Sequence, residues 1–326
     1  MTREHINAWI RAPDCRPNHR ENVQSRHEGT CGWLFATPEY MKWSASIGMP
    51  PIGPGIPEND KVLWLSGDPG SGKSVLASAV FQKLSSEDQL VAMFIFSDQE
   101  RPQSDEPGKD KVIFMLRGIA MQLIKIHETR GSLPTEFLRL YREESRYKLN
   151  DNTAEMVVKA LINTLPRIHI IVDGLNESHD RLLLVRVLKS LVGAKTVGLV
   201  KWLFTSRTEV EFVELFCSLR ATGLEVNAEH TYPDVWKFVE ARWQDLHQNE
   251  DLICHGSLTK FRRYLHGCNF LGAQLTMELL SREEGITCED ELQEVLDGYN
   301  HGFNRVYIPI LTRLAAQSEN DRNLAR

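Results

Sequence analysis

The sequence predicts an α/β protein, in which a parallel sheet covered by helices is followed by an all-helical region. Three observations predict it. Short apolar runs rich in β-branched and aromatic residues recur at Val62–Ser66, Leu90–Phe96, Ile168–Val172 and Leu199–Thr205, with a fifth at Leu224–Ala228. Stretches with helical spacing stand between them, and strands alternating with helices in this way build parallel sheets. Beyond about Tyr232 the strand signals stop and only helical patterns remain.

The elements follow in chain order. Residues 1–25 read as a polar N-terminal segment, since Met1–Asn22 carries Arg3, Arg11, Arg16 and Arg20 without an apolar core. Such a segment is not a secretory signal. Residues 26–60 read as a tryptophan-containing arm that ends in a linker, GMPPIGPGIPEND over 48–60. Its prolines at 50, 51, 54 and 57 exclude a helix or a central strand. The core spans 61–230. Strand Val62–Ser66 leads into a helix over Ser74–Leu84, then strand Leu90–Phe96 and a polar loop, Asp98–Asp110. Val112, Leu116, Ile119, Ala120, Leu123 and Ile126 then fall at helical spacing. Strand Ile168–Val172, a helix over Leu182–Val192 and the strands at 199 and 224 complete the sheet. In 231–326 helices are predicted over Asp234–Leu246, Ser257–Leu265, Phe270–Ser281, Glu289–Leu296 and Phe303–Ala316. Between Glu283 and Asp297 seven acidic residues stand without a Lys or Arg, the pattern of a solvated face.

Composition narrows the function classes. A 42% hydrophobic and 25% charged chain is an ordinary globular one. A net charge of −6 supplies no bulk positive field for nucleic acid or an anionic membrane. No run approaches the roughly 20 apolar residues of a spanning helix. The six cysteines, Cys15, Cys31, Cys217, Cys254, Cys268 and Cys288, form no CxxC pair. His266 and Cys268 are neighbours but lack the rest of a zinc ligand set. Free thiols in a reducing compartment are the expectation, and with them a cytoplasmic protein.

The chemistry lies in three places. Gly67-Asp68-Pro69-Gly70-Ser71-Gly72-Lys73-Ser74, followed by Val75, matches GxxxxGK[ST] between a strand and a helix. Backbone N–H groups of such a loop curl around phosphates, and the helix N-terminus adds positive potential. Lys73 is predicted to meet the β and γ phosphates, and the Ser74 hydroxyl to be a ligand of Mg2+. The second place is Ile168-His-Ile-Ile-Val-Asp173-Gly-Leu-Asn176-Glu177, where an acid ends an apolar strand. Asp173 is the predicted acidic partner of the metal, and Glu177 is placed to polarise an attacking water. The third is Trp202-Leu-Phe-Thr205-Ser206-Arg207. If this strand lies between the other two, Arg207 faces the γ-phosphate and stabilises developing charge. Trp33 and Trp43 read as packing anchors, with base stacking as the alternative.

Together GDPGSGKS, IIVDGLNES and WLFTSR resemble the NACHT branch of the signal-transduction P-loop NTPases, the STAND class that includes NOD-like receptors. The resemblance is to fungal proteins whose NACHT region is nephrocystin-3-like, and it runs from about 26 to 316. It includes Gly29-Thr30-Cys31-Gly-Trp33-Leu34 with Pro38-Glu39-Tyr40 and Trp43 upstream of the loop. Downstream it includes Val235–Arg242, Asn269–Leu275 with Gly272 where the family has Trp, and Tyr307–Leu314 at the start of a winged-helix part. The resemblance implies an additional-strand P-loop fold and a switch driven by ATP, or GTP, with Mg2+. It implies slow hydrolysis, homo-oligomerisation on activation, and roles in self/non-self recognition and regulated cell death. Adenine is the default base because no NKxD-type guanine motif is present. The family pattern DALDE or DGLDE has a second acid where this chain has Asn176. A core without its flanking effector and repeat array is the expected organisation. The rival readings are a non-hydrolysing nucleotide scaffold, a small-molecule kinase, for which an arginine-rich lid is missing around Leu182–Val192, and a DNA-bound ATPase, disfavoured by charge.

Overall fold

The computed structural model describes residues 2–14, 16–45, 61–96, 111–248, 262, 265 and 268–281. The linker at 48–60, the loop at 98–110, the winged-helix start and the helices expected over 289–296 and 303–316 lie outside them. The helix expected over 257–265 is likewise almost wholly outside.

Five strands form one parallel sheet: β1 Val62–Ser66, β2 Val91–Ile95, β3 Arg167–Asp173, β4 Leu199–Ser206 and β5 Thr222–Glu225. Their order is β2-β3-β4-β1-β5. The α/β class and the additional-strand arrangement are therefore as the sequence predicts, with β4 lying between β1 and β3. Side chains alternate across a sheet, and both faces are apolar here. Ile168, Ile170, Val172, Val200, Trp202 and Phe204 share one core. Ile171 and Leu203 belong to the other, with Leu63, Leu65 and Met93. Burial on both faces explains why these strands read as continuous apolar runs.

On the second face packs α5, Lys73–Ser86, together with α3 Gly32–Phe35 and α4 Pro38–Ser44 of the arm. On the first face pack α1 Arg3–Ile10, α6 Lys111–Thr129, α7 Thr135–Glu144, α8 Asp151–Asn163, α9 Arg181–Val192 and α10 Val210–Ser218. Helix α2, Arg16–Ser25, packs beside α5.

Two sequence expectations need correction. The N-terminal segment is not simply polar: α1 buries Ile6, Trp9 and Ile10, and Trp9 meets the edge of Tyr141 at 5.3 Å between ring centroids. Three apolar residues at i, i+3 and i+4 suffice for one packed face, yet they are too few to raise the local hydropathy. The fifth strand ends at Glu225, not at Ala228. Asn227 accepts the backbone N–H of His230 at 3.1 Å and so opens α11, Ala228–Gln248. That cap starts the helix ahead of Pro233, where the sequence reading began it at Asp234. Helices α7, α8 and α10 are additional to the sequence reading.

Contacts divide the chain into Met1–Asp68 with Gly72–Val226, and Pro69–Ser71 with Asn227–Arg326. The sequence reading places that boundary at 230. In the second unit, α11 and α12 (Phe270–Leu280) share a core of Val235, Val239, Trp243, Ala273, Met277 and Leu280.

Under the arm, His169 of β3 is 1% exposed, and neither ring nitrogen has a hydrogen-bond partner. Trp43 lies 5.3 Å from its ring, and Lys201 is its register neighbour on β4. Burial pushes this imidazole down to about 4; Arg167 and Lys201 push the same way, while Leu90 and Glu87 oppose them. A folded pKa below the unfolded one means stability that is present above about 6.5 and lost as pH falls toward 4. Wild type should therefore lose about 3 kcal/mol more than His169→Leu between pH 7 and 4. Denaturant titrations across that range check it, and parallel curves would contradict it.

Candidate functional site

Parallel strands bring their C-terminal ends to one edge, so the loops after β1, β3 and β4 converge. The loop after β1 turns through Gly67–Gly72 into α5. Gly72, at φ +89°, occupies the position before the helix in a left-handed conformation that a side chain would strain. No side chain caps α5 there. Gly67 and Ser71 are buried, Asp68 and Pro69 are exposed, and Gly70, Gly72, Ser74 and Val75 are half-buried.

Lys73 folds back over this loop. Its Nζ donates to the carbonyls of Gly67 and Asp68, each at 2.7 Å. Burial pushes the ammonium down; Asp173 and Asp68 pull it up, and Arg207 pushes it down. The cation is thus held mainly by neutral carbonyls, in an environment that an anion would suit.

Asp173, at the end of β3, is 1% exposed. Burial pushes its carboxyl up, while hydrogen bonds from Thr205 and Ser74 and the charge of Lys73 pull it down. Thr205 lies on β4, one step beyond the register pair Val172–Phe204. Its hydroxyl donates to Asp173 Oδ1 at 2.5 Å and accepts from the backbone N–H of Gly174 at 2.9 Å. Asp173 and Ser74, the two predicted metal ligands, therefore lie near one another. A buried carboxylate beside the hydroxyls of Thr205 and Ser74 is an oxygen donor set that fits a hard cation. Among the described residues no group of three His, Cys, Asp or Glu could hold a metal by itself. These two oxygens fit a cation that brings further oxygens with it.

After Asp173 the chain makes a 3-10 turn, Leu175–Glu177. Glu177 lies 4.0 Å from the guanidinium of Arg207, which stands exposed just past β4. Asn176 donates from Nδ2 to Glu177 Oε1 at 2.6 Å, and its Oδ1 accepts the backbone N–H of Arg207 at 3.3 Å. Arg181 donates to the Asn176 carbonyl at 3.3 Å, pairs with Glu209 and lies over the Phe212 ring at 5.2 Å.

The structure thus groups Lys73, Ser74 and Asp173, and separately groups Glu177 with Arg207. Trp43 does not join either group. It is 0% exposed and packs against Tyr40 and His169 within the core, which corrects the base-stacking alternative for that residue. Trp33 is packed against the same core. Sequence reasoning assigned no role to Thr205, Arg181 or Glu209. A small polar residue ending an apolar strand was the one available signal for Thr205. No local pattern signals that Arg181 and Glu209, 28 residues apart, form a pair.

Residues 29–207, from the arm to the end of β4, match the profile of the family described as Nephrocystin 3, N-terminal. The match covers more than half of the chain, and the protein belongs to this family. No curated protein matches the sequence significantly. Among solved structures, C. elegans PCH-2 is similar at 12% identity, with 77% of this chain and 62% of that one covered and a TM-score of 0.40. The Aeropyrum pernix ORC1 protein, solved in complex with DNA, is similar at 16% identity, with coverages of 81% and 60% and a TM-score of 0.35. The chain therefore spans about three fifths of the length of each of these two.

Proposed function

We propose that this chain is a nucleotide-dependent molecular switch that binds a nucleoside triphosphate, ATP by default, together with Mg2+. The observation that carries the reading is Lys73 of a complete GxxxxGK[ST] loop folded onto the Gly67 and Asp68 carbonyls, with buried Asp173 held by Thr205 at the end of β3. In this reading the N–H groups of residues 67–75 and Lys73 hold the phosphates, and Ser74 and Asp173 hold the metal. The metal, when bound, neutralises phosphate charge. Glu177 orients water and Arg207 meets the γ-phosphate, which makes slow hydrolysis the resetting step. The resemblance to fungal NACHT proteins extends the proposal to cytoplasmic signalling through nucleotide-driven homo-oligomerisation. Among the described residues no helix is long and apolar enough to cross a membrane.

Asp173→Asn tests the metal half. It should weaken ATP binding about 10-fold or more in magnesium and little in EDTA, read by calorimetry. The raised carboxyl adds a second expectation. Stability tied to a raised acid is present below its unfolded pKa and lost as pH rises through the folded one. At pH 7, far above its unfolded pKa, the carboxyl therefore contributes less stability than at low pH, and nucleotide-free Asp173→Asn should melt no lower than wild type. Equal ATP affinities with and without magnesium in wild type would sink the proposal. The nucleotide carried by natively purified protein, identified by mass, gives the base.

A second reading, a scaffold that binds without turnover, is favoured by one observation: Asn176 and Arg207 both engage Glu177. Phosphate release from MgATP no faster than that of Lys73→Ala would select it.

A further inference from the structure

We infer that Asn176 is a positioning residue that straps Glu177 to Arg207, so that the state of the nucleotide is read by the two together. The inference rests on the nucleotide-site reading above and adds a device to it. Position 176 is where the chain departs from the acidic family pattern, and the chemistry of the departure is specific. An ionised aspartate offers acceptors only, whereas an asparagine amide offers both an acceptor and two donors. Here both functions are used at once. Oδ1 takes the N–H of Arg207, the first residue after β4, and Nδ2 gives a hydrogen bond to the carboxylate of Glu177. An aspartate could keep the first bond, but it would set a second negative charge against Glu177.

The strap is anchored at its back. Arg181 at the start of α9 holds the Asn176 carbonyl, and Arg181 is itself fixed by Glu209 and the face of Phe212 in α10. Two loops that approach across the β3–β4 pair are thus joined through one amide, with the Arg207 guanidinium 4.0 Å from Glu177 closing the ring. A γ-phosphate drawing on the Arg207 charge weakens its hold on Glu177. The amide makes that change common to both residues and passes it through Arg181 toward α10. Arg207 can distinguish triphosphate from diphosphate only while its backbone is held in place.

The test is the ratio of MgATP to MgADP affinity, measured by calorimetry on the full chain. Wild type is expected to favour MgATP by about 5-fold or more, and Arg207→Ala to abolish the preference. Asn176→Ala should bring the ratio within about 2-fold of that of Arg207→Ala while changing MgADP affinity less than about 3-fold. Asn176→Asp retains the acceptor for Arg207 but loses the donor to Glu177, so it should lower the ratio by about 3-fold or more, and an unchanged ratio overturns the inference. If Asn176→Ala retains the wild-type ratio, or weakens both nucleotides alike, the strap is only structural and the inference is overturned. Should that variant not fold, Arg181→Gln carries the test: the ratio should fall about 3-fold, and an unchanged ratio overturns the inference. A wild type that binds both nucleotides equally overturns the strap and leaves the nucleotide site standing. A wild type that binds neither removes both.

Discussion

Lys73→Ala is expected to weaken MgATP binding by about 100-fold or more, the largest functional effect of any single substitution in this chain. The ammonium is half-buried, and its present partners are the carbonyls of Gly67 and Asp68. Phosphate oxygens would replace two neutral acceptors by charged ones, and hydrogen bonds to charged groups contribute about 1.5–3 kcal/mol each. Removing the side chain loses those bonds and leaves the phosphate charge without its nearest cation. Burial already pushes this lysine toward its neutral form, so an arriving anion restores an interaction that the loop alone does not provide. Lys83→Ala is the matched control. It lies in the same helix and pairs with Glu87 at 2.7 Å on the surface. Calorimetry should show the control within about 2-fold of wild type. A Lys73→Ala loss below about 3-fold would remove the loop from the nucleotide site altogether.

The largest stability effect is expected at a position with no chemistry. A Cβ on Gly198 would lie 1.9 Å from the carbonyl oxygen of Leu165 and 2.6 Å from that of Pro166. Both obstacles are backbone, so no rotamer change relieves the overlap. The carbonyl of Pro166 also accepts the N–H of Leu199 at 3.0 Å, the bond that sets β4 against β3. Gly198→Ala must push these strand starts apart and should cost about 3 kcal/mol or more, read as a shift of the denaturant midpoint. The same two strands carry Asp173 and Thr205, so nucleotide affinity should fall with stability. A wild-type midpoint would show that residues 165–166 yield freely.

Much of the sheet was legible because the strands are buried on both faces. Val62–Ser66 has the same bounds in sequence and structure, and Ile168–Val172 and Leu199–Thr205 differ from β3 and β4 by single terminal residues. The fifth strand was harder. Thr222–Glu225 buries only Leu224 and carries no apolar run, so the reading drifted toward Val226 and Ala228. Helix α1 escaped for a similar reason, since Ile6, Trp9 and Ile10 are diluted by Arg3, Glu4, His5 and Asn7. The loop at 67–74 was legible because phosphate-binding chemistry demands glycines, a lysine and a hydroxyl at fixed spacing.

What the sequence by itself determined is therefore local. It set which segments are strands, where the glycine-rich turn falls, and which residue types end β1, β3 and β4. Those properties follow from periodicity and backbone freedom, which act over a few residues. The resemblance anticipated β4 between β1 and β3, but tertiary structure alone decided that Thr205 reaches Asp173 and Arg207 reaches Asn176. These partners are 32 and 31 residues apart, and only the packing of a sheet with two apolar faces selects which strand ends become neighbours. Asn176 shows the difference most directly. In the sequence it is a missing acid, and in the fold it is an amide whose donor and acceptor are both in use.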